Sequence, residues 1–335
     1  MLKEFNIIKN HFLKASYKSQ RTDVKLGIGD DCALLKVPTD HWLAVSTDTL
    51  VAGIHFPLST LPSDIGYKAL AVNLSDLAAM GAQPAWVSLA LTLPYADEQW
   101  LSQFVEGFFK LIDEYKLQLI GGDTTQGTVL SITVNVYGFV KEHAALKRSG
   151  AKPGDLIYVT GTLGDAGLAL AAIENKINLS NADREIILSR LNRPIPRIEA
   201  GLALVGYANS AIDISDGLAA DLRHILSSSQ VGATLWSYAL PLSSIVKQAI
   251  PQQQALELAL TAGDDYELCF SALPDHAPMI NNLLSPYCYA TCIGKIESDL
   301  GLRLCNEKGL ITEYKHEGYE HFAKSSIDFV NNTYK

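Results

Sequence analysis

None of the common nucleotide-binding signatures occurs in this 335-residue chain. Nothing matches the G-x-x-x-x-G-K-[ST] phosphate loop, and the H-R-D and D-F-G signatures of protein kinases are missing too. Basic charge is scarce. The net charge is −9, and Lys and Arg are scattered except at Lys147-Arg148 and Lys152, so no basic stripe offers a footprint for nucleic acid and no such partner is expected. Cysteine is sparse and odd in number. Of the five (Cys32, Cys269, Cys288, Cys292, Cys305) only Cys288 and Cys292 lie close, without His or Cys neighbours at zinc-finger spacing. This usage suits reduced thiols in a cytoplasmic protein. Long apolar runs are lacking as well: Met1 to Lys18 mixes Lys3, Glu4, Lys9, His11 and Lys14 into its apolar residues, which fits an amphipathic helix and neither a signal peptide nor a membrane span. No period of about 20 to 50 residues marks a solenoid.

What is present is core-forming material and a set of acids. With 48% hydrophobic and 19% charged residues the chain can bury large cores, and its length suits two domains of roughly 150 residues each. The pattern is α/β. Trp42 to Ser46 reads as a short strand that delivers Thr47-Asp48-Thr49 at its C-terminal end. A helix is expected from Ser63 to Gly81, capped by Ser63 or Asp64, with Tyr67, Leu70, Leu74 and Leu77 as its apolar stripe. Asp76 lies about 200° around that helix from Leu74 and shares a face with Ala69 and Asn73. Strand periodicity over Trp86 to Leu93 precedes a helix from Asp97 to Tyr115, whose Trp100, Phe104, Phe108 and Leu111 are core. A buried strand, Leu117 to Ile120, ends in Gly121-Gly122-Asp123-Thr124-Thr125, and Leu130 to Val136 alternates as a half-buried strand. The Gly/Pro content of residues 147–155 marks a boundary, giving domains 1–145 and 146–335. Beyond it, strand Leu156 to Thr160 leads through a Gly-rich turn, residues 161–167, into an Ala/Leu helix, and strand Ala211 to Ile214 leads to a helix starting near Gly217.

The acids recur beside glycine or hydroxyl residues: Gly29-Asp30-Asp31, Ser46-Thr47-Asp48, Ser75-Asp76, Gly122-Asp123, Ser215-Asp216 and Gly263-Asp264-Asp265. Asx turns and helix caps are one explanation, and capping accounts well for Ser215 and Asp216. It does not account for Asp76 on a helix face. The other explanation is a set of hard oxygen ligands for Mg²⁺ and metal-bound phosphate. Like charges a few ångströms apart repel by on the order of 4 kcal/mol per pair near a protein surface, a cost that cations relieve.

Six linked motifs make the pattern specific. Gly29-Asp30-Asp31-Cys32-Ala33, the stretch from Ser46-Thr47-Asp48-Thr49-Leu50-Val51 to Gly53-Ile54-His55-Phe56, Asn73-Leu74-Ser75-Asp76, Gly121-Gly122-Asp123-Thr124-Thr125, Asp213-Ile214-Ser215-Asp216-Gly217 and Gly263-Asp264-Asp265-Tyr266-Glu267 resemble, in order, the thiamine-monophosphate kinases. Their wider superfamily includes aminoimidazole ribonucleotide synthetase, selenophosphate synthetase and a hydrogenase maturation factor. The resemblance implies a two-domain α/β fold of that superfamily, with N-terminal domains forming a shared β-barrel in a homodimer. It also implies direct phosphoryl transfer from ATP to thiamine monophosphate. Asp30, Asp48, Asp76, Asp123 and Asp213 would hold Mg²⁺ with help from Ser46, Thr47 and Asp216. K⁺ is a further candidate cofactor. Asp48, Asp123 and Asp213 would be the catalytic acids, Gly122, Asp123, Arg148 and Ser215 would contact ATP, and His55, Glu267 and Tyr319 the acceptor. Plain alternatives stand beside several of these roles: His55 as a loop histidine packing near Phe56, Arg148 as a solvated linker charge, and Phe322 in place of Tyr319 as the ring stacked on the substrate. One departure concerns Val105, where related chains often carry Tyr. The chain has no Cys before the first acidic motif and ends in Tyr334-Lys335, unlike selenophosphate synthetase and the maturation factor respectively. A metal-dependent phosphohydrolase using the same acids is the rival from another class.

Overall fold

The computed structural model describes residues 4–16 and 19–315. Tyr319 and Phe322 lie outside the described residues. The N-terminal segment is helical as expected: α1 (Glu4–Ile7) widens into a π-helical stretch (Ile8–Leu13) and returns as α2 (Lys14–Ser16), with Ile7 and Phe12 buried. A small ribbon of β1 (Val24–Leu26) and β2 (Leu34–Leu35) holds the Gly29–Asp31 turn between its strands. The first main sheet comprises β3 (His41–Val51), β4 (Gln83–Leu93), β5 (Gln118–Gln126) and β6 (Ser131–Lys141), in the order β3-β6-β4-β5. Helices α3 (Pro62–Ala79) and α4 (Glu98–Glu114) lie against one of its faces.

Two strand ends differ from expectation. β3 does not stop at Ser46 but pairs antiparallel with β6 from His41 opposite Lys141 to Val51 opposite Ser131, so Asp48 is mid-strand. β5 likewise continues through Gly121, Gly122 and Asp123, paired with β4. Aspartate and glycine are disfavoured in strands, and their presence masks a ladder that only the partner strand reveals. α3 also starts differently. Pro62 opens it without any side-chain cap, its fixed φ suiting the first turn, while Ser63 and Asp64 bond Arg193. The expected apolar stripe of α3 is buried, and so is nearly all of the rest, because this helix is covered on several sides.

The two helices cross at glycines. A Cβ on Gly66 would stand 2.1 Å from the Phe104 carbonyl oxygen, and one on Gly107 1.8 Å from that of Ser63. Asp97, where the sequence starts this helix, caps α4 by accepting from the Trp100 N–H at 2.7 Å.

The second sheet draws on β7 (Leu156–Thr160), β8 (Ala208–Asp213), β9 (Gly232–Trp236), β10 (Leu268–Ala272), β11 (Ala290–Glu297), β12 (Gly301–Cys305) and β13 (Ile311–Glu313), in the order β13-β12-β9-β11-β7-β10-β8. It is antiparallel except for the β12/β9 pair. Its helices are α5 (Asp165–Ile173), α6 (Asn181–Asn192), α7 (Ile198–Leu204), α8 (Leu218–Ser229), α9 (Ser244–Ala249), α10 (Gln252–Thr261) and α11 (Ala277–Leu284). α7 seats on α3 so closely that a Cβ at Gly201 would stand 2.0 Å from the Ala78 carbonyl oxygen. One apolar cluster runs from Leu74 and Val136 through to Tyr158, Leu268 and Phe270, so α3 carries the first sheet's core onto the second. Among the described residues no helix is long and apolar enough to cross a membrane.

Candidate functional site

The junction of α3, β3 and β8 gathers acids from both sheets. Asn73, fully buried on α3, donates to the Ala69 carbonyl at 3.0 Å and accepts the Asp48 backbone N–H at 3.0 Å, which fastens the middle of β3 to the helix. One turn further along α3, Asp76 accepts the Ser46 hydroxyl. Asp213 ends β8 and is 5% exposed. These carboxyls feel one another. Burial, then the charges of Asp76 and Asp216, push the Asp48 carboxyl up to about 6. Burial, then Asp76, with Asp221 and Asp48 adding to it, push that of Asp213 up to about 8. Asp76 is raised by burial too, against the Ser46 hydrogen bond and the Arg148 charge.

Helix capping, one of the two explanations weighed for Ser215 and Asp216, is not what the structure shows. Gly217 occupies the cap position of α8, and Asp221, buried in the first turn of the helix, accepts both the Ser215 and the Asp216 backbone N–H at 3.0 Å. Burial lifts the Asp221 carboxyl to about 7 against those two bonds. An acid in a helix's first turn is commonplace, so only the backward reach of this one could have marked it out.

Ser46 shares the Asp48 side of β3, but Thr47 points to the other face, where its hydroxyl donates to Asn135 Oδ1 at 2.6 Å. Asp30, Gly122 and Asp123 are elsewhere. They line a cavity of about 660 Å³ beside the N-terminal helical segment, with Phe12, Ile28 and Leu119 among its walls, and Asp48, Asp76 and Asp213 do not line it. Ladder pairing shows the separation: Asp48 opposes Val134, Val134 opposes Leu89, and Leu89 opposes Gly122. That row spans three strand spacings, roughly 14 Å. Within one chain the acids therefore form two groups at opposite edges of the first sheet.

Arg148 is exposed in the crossover between the sheets, and its charge reaches Asp76 and Asp221. His55 is half-buried after β3; its Nδ1 accepts the Val51 N–H at 3.0 Å, which leaves Nε2 to carry the proton of the neutral ring. Glu267 is 4% exposed, and its carboxylate is engaged by Arg197 through Nε and Nη2 and by the Thr160 hydroxyl at 2.6 Å. Arg197 had no motif to announce it. A Cβ on Gly161, whose φ is +60°, would stand 2.0 Å from Glu267 Oε1, so this glycine in the Gly-rich turn makes room for the carboxylate.

Among the described residues no group of three His, Cys, Asp or Glu side chains is preset to hold one metal ion. Mg²⁺ asks for less, commonly one or two carboxylates completed by water and phosphate. Three carboxyls raised by burial, with Asp48 and Asp213 raised further by neighbouring acids, fit a cation that would relieve both costs.

Comparison with known proteins decides the family. Residues 29–140 match the model of the AIR synthase related protein N-terminal domain, and residues 152–304 that of its C-terminal domain. The thiamine-monophosphate kinase of Escherichia coli K12 is 49% identical over 96% of this chain and 98% of its own length. The chain belongs to the thiamine-monophosphate kinase family. A solved thiamine-monophosphate kinase from Stenotrophomonas maltophilia K279a superposes with a TM-score of 0.83 at 44% identity, covering 89% of this chain and 95% of that one. A second structure, AaThiL complexed with AMPPCP and TMP, gives 0.75 at 30% identity over 95% and 97%. The mixed α/β, two-domain fold of the AIR synthase related superfamily is thus this chain's own. Members of this kinase family use ATP, and the acids at the α3/β3/β8 junction and beside the N-terminal cavity are candidates for its phosphates.

Proposed function

We propose that this protein transfers the γ-phosphoryl group of ATP directly to thiamine monophosphate, giving thiamine diphosphate and ADP. The observation that carries this reading at the level of the site is the meeting of Asp48 and Asp76 from one half of the chain with Asp213 from the other, each raised by burial, and Asp48 and Asp213 also by neighbouring acids. The acceptor is a phosphate monoester whose second pKa is near 6, so at neutral pH it is already a nucleophile and needs no general base. The work left to the protein is positioning and charge neutralisation. Asp48, Asp76 and Asp213, with Ser46 and Asp216 beside them, would hold Mg²⁺ ions, which when bound offset the charge on the phosphates. The chain's own part is to keep those carboxylates oriented: Asn73 holds the backbone at Asp48, Ser46 holds Asp76, and Asp221 holds the Ser215-Asp216 turn. Arg148, exposed beside these acids, would supply positive charge at the rim. Glu267, fixed by Arg197 and Thr160, shapes the acceptor side rather than presenting a bare anion. K⁺ is a candidate beside Mg²⁺.

A homodimer completes the reading. The outer face of the first sheet exposes Leu43 and Val45, at 41% and 56%, and β3 and β5 are both edges. A second copy whose β5 edge lies along β3 would bring Asp30 and Asp123 of one protomer toward Asp48 and Asp76 of the other, closing a shared barrel. We take residues 1–145 as the half that dimerises and supplies most metal ligands, residues 146–335 as the half that completes the site, and the cytoplasm, where five free thiols are at home, as the compartment.

The test is an assay with thiamine monophosphate set against thiamine, aminoimidazole precursors and water as acceptors. Equal amounts of ADP and thiamine diphosphate, formed only with Mg²⁺, are expected. ATP consumption without thiamine diphosphate would favour the phosphohydrolase instead.

A further inference from the structure

Lys68, in the second turn of α3, is 1% exposed, and a buried ammonium persists only when paired. Its Nζ stands 3.1 Å from Asp264 Oδ2 and donates to the His55 carbonyl oxygen at 3.4 Å. These partners belong to different parts of the chain. His55 follows β3 in the first half, and Asp264 sits in the turn between α10 and β10 in the second.

That turn is under strain. Asp264 and Tyr266 have φ of +68° and +48°, left-handed values that non-glycine residues keep only when their surroundings over-determine them. Two backbone bonds contribute: the Asp264 N–H donates to the Ser215 carbonyl at 2.9 Å and the Tyr266 N–H to that of Ile214 at 2.8 Å. Gly263 is close enough to Ser215 that a Cβ there would stand 2.4 Å from its carbonyl oxygen. The turn is thereby locked to the segment Asp213–Asp216, and Lys68 is the link from that segment back to α3 and the His55 loop.

We propose that Lys68 is a positioning residue which sets the His55 loop against the Asp264 turn, and so fixes where the phosphate acceptor sits relative to the acids. The proposal rests on the kinase reading above. Removing the cation releases the His55 carbonyl and leaves Asp264 without its counterion beside Tyr266. Gly122, Asp123 and Arg148 lie on segments that Lys68 does not touch, so the acceptor is affected more than the nucleotide.

Steady-state kinetics of the full chain carrying Lys68→Met, Lys68→Arg or Asp264→Asn provide the test. Lys68→Met is expected to raise KM for thiamine monophosphate about tenfold while KM for ATP stays within about twofold, and Lys68→Arg to recover most of the loss. Asp264 is partly exposed, so Asp264→Asn is expected to fold, and it should show the same selective rise even if Lys68→Met does not fold. The double variant should be no worse than Lys68→Met alone, since both break one link. Folded variants with both KM values unchanged, or both raised alike, would overturn the proposal. Calorimetric binding of thiamine monophosphate is measured in parallel, so a chain that binds the acceptor without turnover would count against the kinase reading while Lys68 is still tested.

Discussion

Asp48 and Asp213 give the site a pH signature whose sign follows from their burial. Both carboxyls are raised in the fold, to about 6 and about 8, whereas in the unfolded chain they ionise near 4. Between those values the folded state holds protons that the unfolded chain has released, so stability is greatest at the acid end of the window and falls as pH rises from about 4 to about 8. The metal-free protein is therefore expected to lose melting temperature between pH 5.5 and pH 8.5, with Asp48 contributing on the order of 1 kcal/mol in that window and Asp213 adding the loss at its alkaline end. Asp213→Asn should flatten that slope, and Mg²⁺ with ATP should restore the loss at pH 8.5. Scanning calorimetry with and without chelator reads both; a flat profile for the wild type would show that the acids do not repel one another. Asp48→Asn is expected to lower kcat at least 100-fold while raising metal-free stability at pH 8.5, a pairing that a purely structural aspartate would not give. The sequence named these aspartates through motif and placement. It passed over Asn73's bond to the backbone of Asp48, Arg197 and Lys68, because each acts through a partner remote along the chain, and Asp221, because an acid in a helix's first turn does not break the local pattern.

At the scale of elements, close approach rather than side-chain volume decides how the first half packs. Gly107 lets α4 lie against α3, and an added methyl would have to displace backbone rather than a flexible side chain. Gly107→Ala is expected to cost about 3 kcal/mol or more and to lower the melting temperature by roughly 5 °C or more, while the exposed neighbour Ser102→Ala should stay within about 0.5 kcal/mol. Equal melting temperatures for the two would refute the packing argument. Helices α3 and α4 and the cores of strands β4, β6 and β7 were legible, since their apolar residues recur locally at helical or strand spacing or in a short continuous run. The full lengths of β3 and β5 were not. Their outer reaches carry Asp, Thr and Gly, which read as loops until β6 and β4 supply the ladder bonds.

For the molecule as a whole, the proposed homodimer would make assembly part of the chemistry, since the acids of one chain divide between two sheet edges. The chain is expected to sediment as a dimer of 36.4 kDa protomers, and Val45→Glu, placing charge on the open face, should yield an inactive monomer. Mixing Asp48→Asn with Asp123→Asn, each inactive alone, should regenerate activity if the sites are shared between protomers. Mixtures that stay inactive while forming heterodimers would place every ligand within one chain.

The sequence alone determined the α/β class, the family resemblance and the identity of the candidate acids, because periodicity and short motifs are local and survive without knowledge of the fold. Only the tertiary structure decided which acids stand together. It set Asp48, Asp76 and Asp213 at one junction and Asp30 with Asp123 at another, since that depends on strand order and on which helix covers which face. It also decided that Glu267 meets Arg197 and that Lys68 joins the His55 loop to the Asp264 turn. A charge buried in the fold needs a partner, and the partner's place along the chain is a matter of packing that no local pattern records.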